Sequence, residues 1–462
     1  MMKVALVVPT KKLRPKEATC IPFGIAYIAG SLKKEIPSCD VIIIDATIGH
    51  DVDKTLLAFQ PDIIGVTAST SQILGAYQLG DTLLRNSPNV LTVIGGVHAS
   101  ALPYEALQHF DCVVVGEGEL TFVQIVKDLI NGKRCSGIIQ GEQVEDLNSL
   151  PLIDYDSLDV LEYIKRGVDL PLLSNPCMDM VTSRGCLYRC VFCHNSQSTT
   201  KTRYVNAERI AQEILMLHNK FGIITFYFGD DEFLVNTQRL KELNSLFHKY
   251  RITDWIKWGC QARSQTCTIE TLELAKAAGC KLISIGLESG CERILKYLKC
   301  GTTTLADHEK ALENCDKVGI IAGGNFIYGV FDQTLEEMQE SFNWIKKQKH
   351  ISFASSGVLI PYPATEVWRK SQELKLLPEN VDYSRLILTY FVEDTYNMNQ
   401  IVPLNVFAKF MINTARMSRI YAKRNHLKSL RKFMADMCKR PVFYWAWMFH
   451  PYQMINITFR RN

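Results

Sequence analysis

Five runs in the first 120 residues are apolar almost without a break: KVALVV (3–8), DVIIID (40–45), DIIGVT (62–67), NVLTVIGG (89–96) and DCVVVG (111–116). Stretches with apolar residues at helical spacing separate them: GIAYIAGSLKKE (24–35), DVDKTLLAF (51–59), SQILGAYQLGDTLLRN (71–86) and PYEALQHF (103–110). Continuous apolar strands alternating with amphipathic helices predict an α/β fold. The N-terminal part is then a Rossmann-like, doubly wound parallel sheet covered on both faces. Such a sheet takes ligands at the C-terminal ends of its strands, near a switch point.

Those strand ends carry Thr47, Thr67, Ser69, Gly95, Gly96, His98, Gly116, Glu117 and Gly118. Glycines there let a bulky ligand approach the backbone. Gly95 and Gly96 would equally serve a tight strand-to-helix turn. No Gly-x-Gly-x-x-Gly follows the first strand, which disfavours a dinucleotide. Residues 1–135 form this first domain. Residues 136–180 are turn-rich and read as a linker. A second domain then opens with the strand MDMVTSRGC (178–186) and continues through the helix NAERIAQEILMLHNKFG (206–222) and the strand of IITFYFGDDEFLVN (223–236).

The start of that domain carries the chain's densest chemistry. SRGCLYRCVFCHN (183–195) sets Cys186, Cys190 and Cys193 within eight residues. Soft thiolates select zinc or iron–sulfur clusters. A structural zinc site wants four protein ligands. His194 adjoins Cys193, and neighbouring side chains in an extended loop point apart, so it is a poor fourth. A cubane held by three cysteines leaves one iron open to a ligand. Unrelated buried thiols are the remaining reading.

Composition narrows the class. The chain has 462 residues, enough for two or three domains. Its 47% hydrophobic and 22% charged content is that of a globular protein, and a net charge of +4 argues against a dedicated nucleic-acid binder. The first residues are too short an apolar run for a signal peptide, and no stretch reads as a membrane span. Fifteen cysteines are then thiols and ligands rather than disulfides, in a cytoplasmic setting.

The Cys-x3-Cys-x2-Cys spacing, with Phe192 before the last cysteine, resembles the signature of the radical S-adenosylmethionine superfamily. IGGVHAS (94–100) and VVVGEGE (113–119) resemble the cobalamin-binding domain attached to many of its members. The likeness spans residues 1–370. It implies a [4Fe-4S] cluster on Cys186, Cys190 and Cys193 in a partial β/α barrel over residues 181–395, with S-adenosylmethionine on the open iron. It places Phe192 by the adenine. It gives Gly229, Asp230 and Asp231 to the methionyl ammonium, Arg263 to the carboxylate, and Glu288 and Ser289 to the ribose and methionyl parts. Helix capping by Asp230 or Ser289 and a surface ion pair for Arg263 are the rival roles.

Three departures stand out. The loop DATIGHD (45–51) has Thr47 where an Asp-x-His-x-x-Gly signature places its cobalt-ligating histidine, so cobalamin is expected without that ligand, unless the domain has lost the cofactor. His50 reads as a solvated loop residue. Gly329–Val330–Phe331–Asp332–Gln333–Thr334 replaces the family's Gly-Leu-Pro-Gly-Glu-Thr, leaving helix initiation as its expected role. SGVLIPYPATEVW (356–368) has Ala364 in a usual glycine place.

From Arg416 to Arg461 eleven Lys and Arg face one acid, Asp436, so this segment is about +10 and the remainder about −6. The region 396–462 reads as helical, basic and aromatic. It either packs over the barrel or touches an anionic membrane surface, which would favour a hydrophobic substrate. The resemblance implies methylation of an unactivated carbon through a 5′-deoxyadenosyl radical and methylcobalamin. Cobalamin-assisted cyclisation or rearrangement is the second reading, and a corrinoid or iron–sulfur scaffold without turnover the third. Small-molecule substrate and an electron donor such as flavodoxin or ferredoxin are the partners expected.

Overall fold

A computed structural model describes residues 1–9, 20–166, 177–197, 201–386 and 395–425. The first sheet contains β1 (Lys3–Val8), β2 (Asp40–Asp45), β3 (Ile63–Thr67), β4 (Leu91–Gly95), β5 (Cys112–Val115) and β6 (Gly137–Gln140). Its order is β2-β1-β3-β4-β5-β6, and every pairing is parallel. Val4 to Val8 are all buried, because helices cover both faces. Each of the Val and Leu side chains among them contributes about 1.5–3 kcal/mol by leaving water. The chain leaves β1 toward β2 and returns on the other side to β3, which puts the switch point between β1 and β3.

β6 carries this sheet beyond residue 135, the boundary the sequence suggested. A turn-rich segment looks like linker, but here its backbone completes a ladder with β5. The rest of the connector is strapped to both domains. Tyr155 Oη donates to Glu213 at 2.6 Å and Tyr163 Oη donates to Asp45 at 2.6 Å. Lys33 pairs with Asp154 at 2.7 Å.

The second sheet contains β7 (Cys177–Met180), β10 (Thr225–Phe228), β11 (Lys257–Ala262), β12 (Cys280–Glu288), β13 (Ile321–Tyr328) and β14 (Phe353–Val358). Its order is β14-β13-β12-β11-β10-β7, again all parallel. β7 and β14 do not pair, so this is a partial barrel. A two-residue antiparallel ladder, β8 (Ser183–Arg184) with β9 (Arg203–Tyr204), closes the base of the cysteine loop.

Caps set the helix phases. Asn206 accepts from Arg209 N–H at the start of Ala207–Phe221, and Thr334 with Glu337 forms a capping box for Leu335–Lys347. Helix initiation is therefore what the divergent 329–334 loop does. Gln333 adds a brace by accepting from Gly329 N–H at 2.9 Å. Ala364 has φ +63, in the left-handed region that glycine occupies without strain.

The helix Leu404–Asn425 packs against β14, and Tyr328 and Thr414 hydroxyls meet at 3.1 Å. Over this stretch the C-terminal region covers the barrel. The basic and aromatic part from 426 onward, on which the membrane reading rests, lies outside the described residues. No helix among the described residues is long and apolar enough to cross a membrane.

Candidate functional site

The cysteine loop leaves β8 and re-enters through β9. Cys190 is buried, while Cys186 and Cys193 are half-buried, and no described cysteine is in a disulfide. Cys193 N–H donates to Cys190 C=O at 3.0 Å, and Val191 N–H to Leu298 C=O at 3.1 Å. Burial raises the Cys186 thiol, and it pushes Cys193 up to about 11, with the nearby charges of Asp231, Cys190 and Cys186 adding. Crowded thiols of this kind ionise readily only when cations ligate them. Among the described residues no three His, Cys, Asp or Glu converge as one mononuclear ion requires. A cubane puts a separate iron at each thiolate, so three spread thiols around one volume fit it better than zinc. His194 is held by the Pro363 backbone, and burial lowers its pKa.

Arg263 lies at the barrel mouth, where the sequence placed it. It is buried. Nη1 donates to Cys190 Sγ at 3.2 Å, and Nη2 donates to Thr302 Oγ1 at 2.8 Å and Thr303 Oγ1 at 2.7 Å. Its guanidinium stacks over Tyr188, 3.6 Å from the ring centre. These contacts engage both Nη groups with the cysteine loop and the 302–303 turn, while Nε is buried without a protein partner among the described residues. Neither Tyr188 nor the threonines carried a sequence signal, because they meet Arg263 only across the barrel mouth.

The strand end after β10 separates its two aspartates. Asp230 is buried and accepts from Thr182 N–H at 2.5 Å, Thr182 Oγ1 at 2.7 Å and Ser183 Oγ at 2.7 Å, with Arg239 at 3.2 Å. It ties β10 to the base of the cysteine loop, a role distinct both from ligand binding and from the helix cap considered for it. Asp231 opens to solvent beside the loop, although protein crowds it enough to raise its pKa, with an Asn195 hydrogen bond opposing. Gly229 N–H bonds Met180 C=O at 2.8 Å, joining β10 to β7.

At the end of β12, Glu288 has φ +57 at a bulge and pairs with buried Lys299 at 2.8 Å. Lys299 Nζ in turn lies 5.9 Å from the ring centre of Phe192. Phe192, Lys299 and Glu288 thus form one row at the barrel mouth. Gly286 makes room for it, since a Cβ there would sit 2.5 Å from Glu288 Oε1. Ser289 is buried, shares a hydrogen bond with Ser341 Oγ at 2.8 Å and accepts from Cys291 N–H at 3.1 Å, which is the capping-like role.

In the N-terminal domain a cavity of about 250 Å³ opens at the switch point. Thr67, Gly95, Gly96, Gly116, Glu117 and Gly118 line it, together with apolar groups such as Leu6 and Phe122. Gly96 turns at φ +94, and a Cβ on it would stand 2.8 Å from Thr67 Oγ1. Three other expected residues, Thr47, Ser69 and His98, are not on this wall. Thr47 N–H donates to Asp45 at 2.7 Å, and its carbonyl accepts from Arg166 at 3.3 Å, under the connector helix Val160–Arg166. His50 is half-buried and accepts the Asp45 N–H at 3.1 Å. Ser69 turns to Gln72 at 2.8 Å. His98 is buried against Thr70 at 3.1 Å and the edge of Tyr383, and burial pushes its pKa down to about 4.

Two residues of the second domain, Val181 and Arg184, also line this cavity. Arg184 pairs with Glu119 at 2.5 Å and Glu117 at 3.4 Å, and Arg203 also holds Glu117. Both arms of the cysteine loop are therefore bolted to the end of β5.

Residues 16–126 match the B12 binding domain, and residues 180–345 match the Radical SAM superfamily. An uncharacterized methyltransferase of Pyrococcus horikoshii is 32% identical over 80% of this chain and 83% of its own. The chain belongs to the cobalamin-binding radical S-adenosylmethionine enzymes. As a family member it takes a [4Fe-4S] cluster, S-adenosylmethionine and cobalamin. The anaerobic magnesium-protoporphyrin IX monomethyl ester cyclase of Cereibacter sphaeroides is 27% identical over 79% of this chain, which spans 62% of that relative. The fold matches that of the radical S-adenosylmethionine methyltransferase TsrM of Kitasatospora setae, with TM-score 0.65 at 20% identity over 80% of this chain and 78% of that one.

Proposed function

We propose that this enzyme transfers a methyl group to a carbon of a small-molecule substrate at the mouth of the barrel. The observation that carries the reading is the shared wall: Arg184, at the base of the cysteine loop, also lines the switch-point cavity. A cofactor lodged there meets the same space as one on the cysteine loop. The relative from Pyrococcus horikoshii, named a methyltransferase, supports transfer over cyclisation.

In this reading Cys186, Cys190 and Cys193 hold the cluster, and its open iron takes S-adenosylmethionine. Asp231 faces the ammonium, Phe192 lies by the adenine, and Glu288, held by Lys299, faces the ribose. Thr67, Gly95, Gly96, Gly116 and Gly118 receive part of cobalamin, a corrin being larger than the cavity. When bound, the cluster supplies the electron that splits S-adenosylmethionine and cobalamin supplies the methyl group. No histidine of the 45–50 loop would ligate cobalt in this reading, since Thr47 stands in the signature's histidine place and His50 is engaged with Asp45. A flavodoxin or ferredoxin serves as reductant.

The test uses reduced holoenzyme and S-adenosylmethionine carrying a trideuterated methyl group. Release of 5′-deoxyadenosine together with S-adenosylhomocysteine, and deuterium in methylcobalamin, is the expected result. Cleavage to 5′-deoxyadenosine with no methyl transfer to cobalamin would favour the cyclisation reading instead.

Arg263 acts as a positioning residue here. A charge-assisted donor to a ligand sulfur stabilises the more negative, reduced cluster. Arg263→Gln should make the cluster potential more negative, with Arg263→Lys in between, in a redox titration followed by electron paramagnetic resonance. An unchanged potential in both variants would reduce Arg263 to a packing role.

A further inference from the structure

The inner face of the second sheet is polar where an eight-stranded barrel would be filled with branched apolar side chains. One polar group comes from each strand: Asp179 (β7), Tyr227 (β10), Gln261 (β11), Ser284 (β12), Asn325 (β13) and Ser355 (β14). Strand register makes them a continuous track. Asp179 pairs with Tyr227, Gln261 with Ser284, and Asn325 with Ser355. Hydrogen bonds cross the steps between those pairs. Tyr227 is bonded to Gln261 and Asn325 Nδ2 donates to Ser284 Oγ at 3.2 Å, while within the last pair Ser355 donates to Asn325.

The alternate residues on the same strands face the other way and are buried: Met178, Phe226, Phe228, Cys260, Ile283, Ile285, Phe326 and Ala354. By contrast Gln261 and Ser355 are exposed, and Asp179 and Asn325 half-buried, so the track borders open space. Phe353 lies against Gly323 and closes its floor. At the rim the Glu288–Lys299 pair stands over Gly286, its two charges already matched.

Asp179 is the exception to this matching. Its backbone belongs to the β7–β10 ladder, but among the described residues no group hydrogen-bonds or ion-pairs with its carboxylate, while every other member of the track has a side-chain partner in it. Burial pushes its pKa up to about 7, the direction an adjacent cation reverses. An apolar ligand filling this space would leave the carboxyl desolvated and unpaired, which is costly.

We propose that the inner face of the barrel binds a small polar substrate that presents a cationic nitrogen to Asp179 and hydrogen-bonding groups to Gln261, Asn325 and Ser355. This rests on the enzymatic reading above and deepens it. It also replaces the hydrophobic substrate that the basic tail suggested, since the track is built to satisfy polar groups.

The test is saturation-transfer nuclear magnetic resonance on the oxidised holoenzyme, with n-butylammonium, n-butyrate, n-butanol and zinc protoporphyrin IX as probes. Butylammonium should receive saturation and butyrate should not. Asp179→Asn should weaken butylammonium about tenfold or more, the effect of one lost charge-assisted contact. Asp179→Glu should restore part of it, and retained cluster and cobalamin absorption shows that both variants fold. Equal butylammonium binding by the parent and Asp179→Asn would overturn the proposal. So would binding of zinc protoporphyrin with none of butylammonium. Cleavage of S-adenosylmethionine by the unmutated enzyme is measured separately. Its absence alongside Asp179-dependent ammonium binding would sink the enzymatic reading and leave the binding site standing.

Discussion

Cys190→Ala should remove the iron–sulfur absorption of this protein and all cleavage of S-adenosylmethionine. Cys186→Ala and Cys193→Ala should do the same. The three thiols share one loop, and among the described residues no fourth protein ligand stands ready, with His194 held at the Pro363 backbone. Losing one thiolate of three leaves a cubane with two open irons, which is not retained. The variants differ in their second effect. Cys190 is buried and accepts from Arg263 at 3.2 Å, so its removal also strips a partner from a buried guanidinium, at about 1–3 kcal/mol. Cys186 and Cys193 are half-buried, and the Nη1 hydrogen bond of Arg263 goes to Cys190. Iron content, visible absorption and thermal unfolding of the three variants check this. A full cluster in Cys193→Ala would overturn the ligand assignment, and equal unfolding temperatures would remove the role given to Arg263.

Arg184→Ala should loosen the junction between the two halves of the site. Glu119 is almost fully buried and pairs with Arg184, while Glu117 keeps Arg203. Truncating one partner of a buried pair leaves an uncompensated charge and costs about 3–5 kcal/mol. Adding Glu119→Gln should recover part of that loss, because the orphaned charge goes with it, and the double-mutant cycle measures the coupling.

The same junction has a pH signature. Burial alone would raise Glu117, but the Arg203 hydrogen bond, the Val144 N–H and the charges of Arg184 and Arg203 hold it below its ordinary 4.5. A depressed carboxylate contributes stability above its unfolded value and loses it as pH falls through the folded one. Denaturation midpoints should therefore drop below pH 4.5, and by less in Arg203→Ala, where the depression is relieved. A junction insensitive to acid would contradict the ion pairing.

Much of the architecture was legible from local pattern. The strands β1 to β5 fall within a residue or two of the apolar runs, because a strand buried on both faces leaves little polar interruption to misread. The cysteine loop was legible for a similar reason, its three ligands lying within eight residues. The switch-point wall was partly legible: Thr67, Gly95, Gly96, Gly116, Glu117 and Gly118 line it, whereas Thr47, Ser69 and His98 do not. A strand end marks the region of a site, but one residue's step decides which side of the sheet a side chain joins.

What the sequence determined by itself is therefore the order of strands and helices, the family, the cofactors and the cysteine trio, all carried by contiguous residues. Only the tertiary structure decided the partners. It gave Asp230 to Thr182 and Ser183 and left Asp231 open; it turned Arg263 onto Cys190, set Lys299 beside Glu288, and joined Arg184 to Glu117 and Glu119. It also aligned Asp179 with five polar side chains from five other strands. Those contacts span tens of residues in the chain, and they exist only after register and barrel curvature bring the strands side by side. A local pattern carries no information about which distant group will meet a given side chain, and the chemistry of this site is made at those meetings.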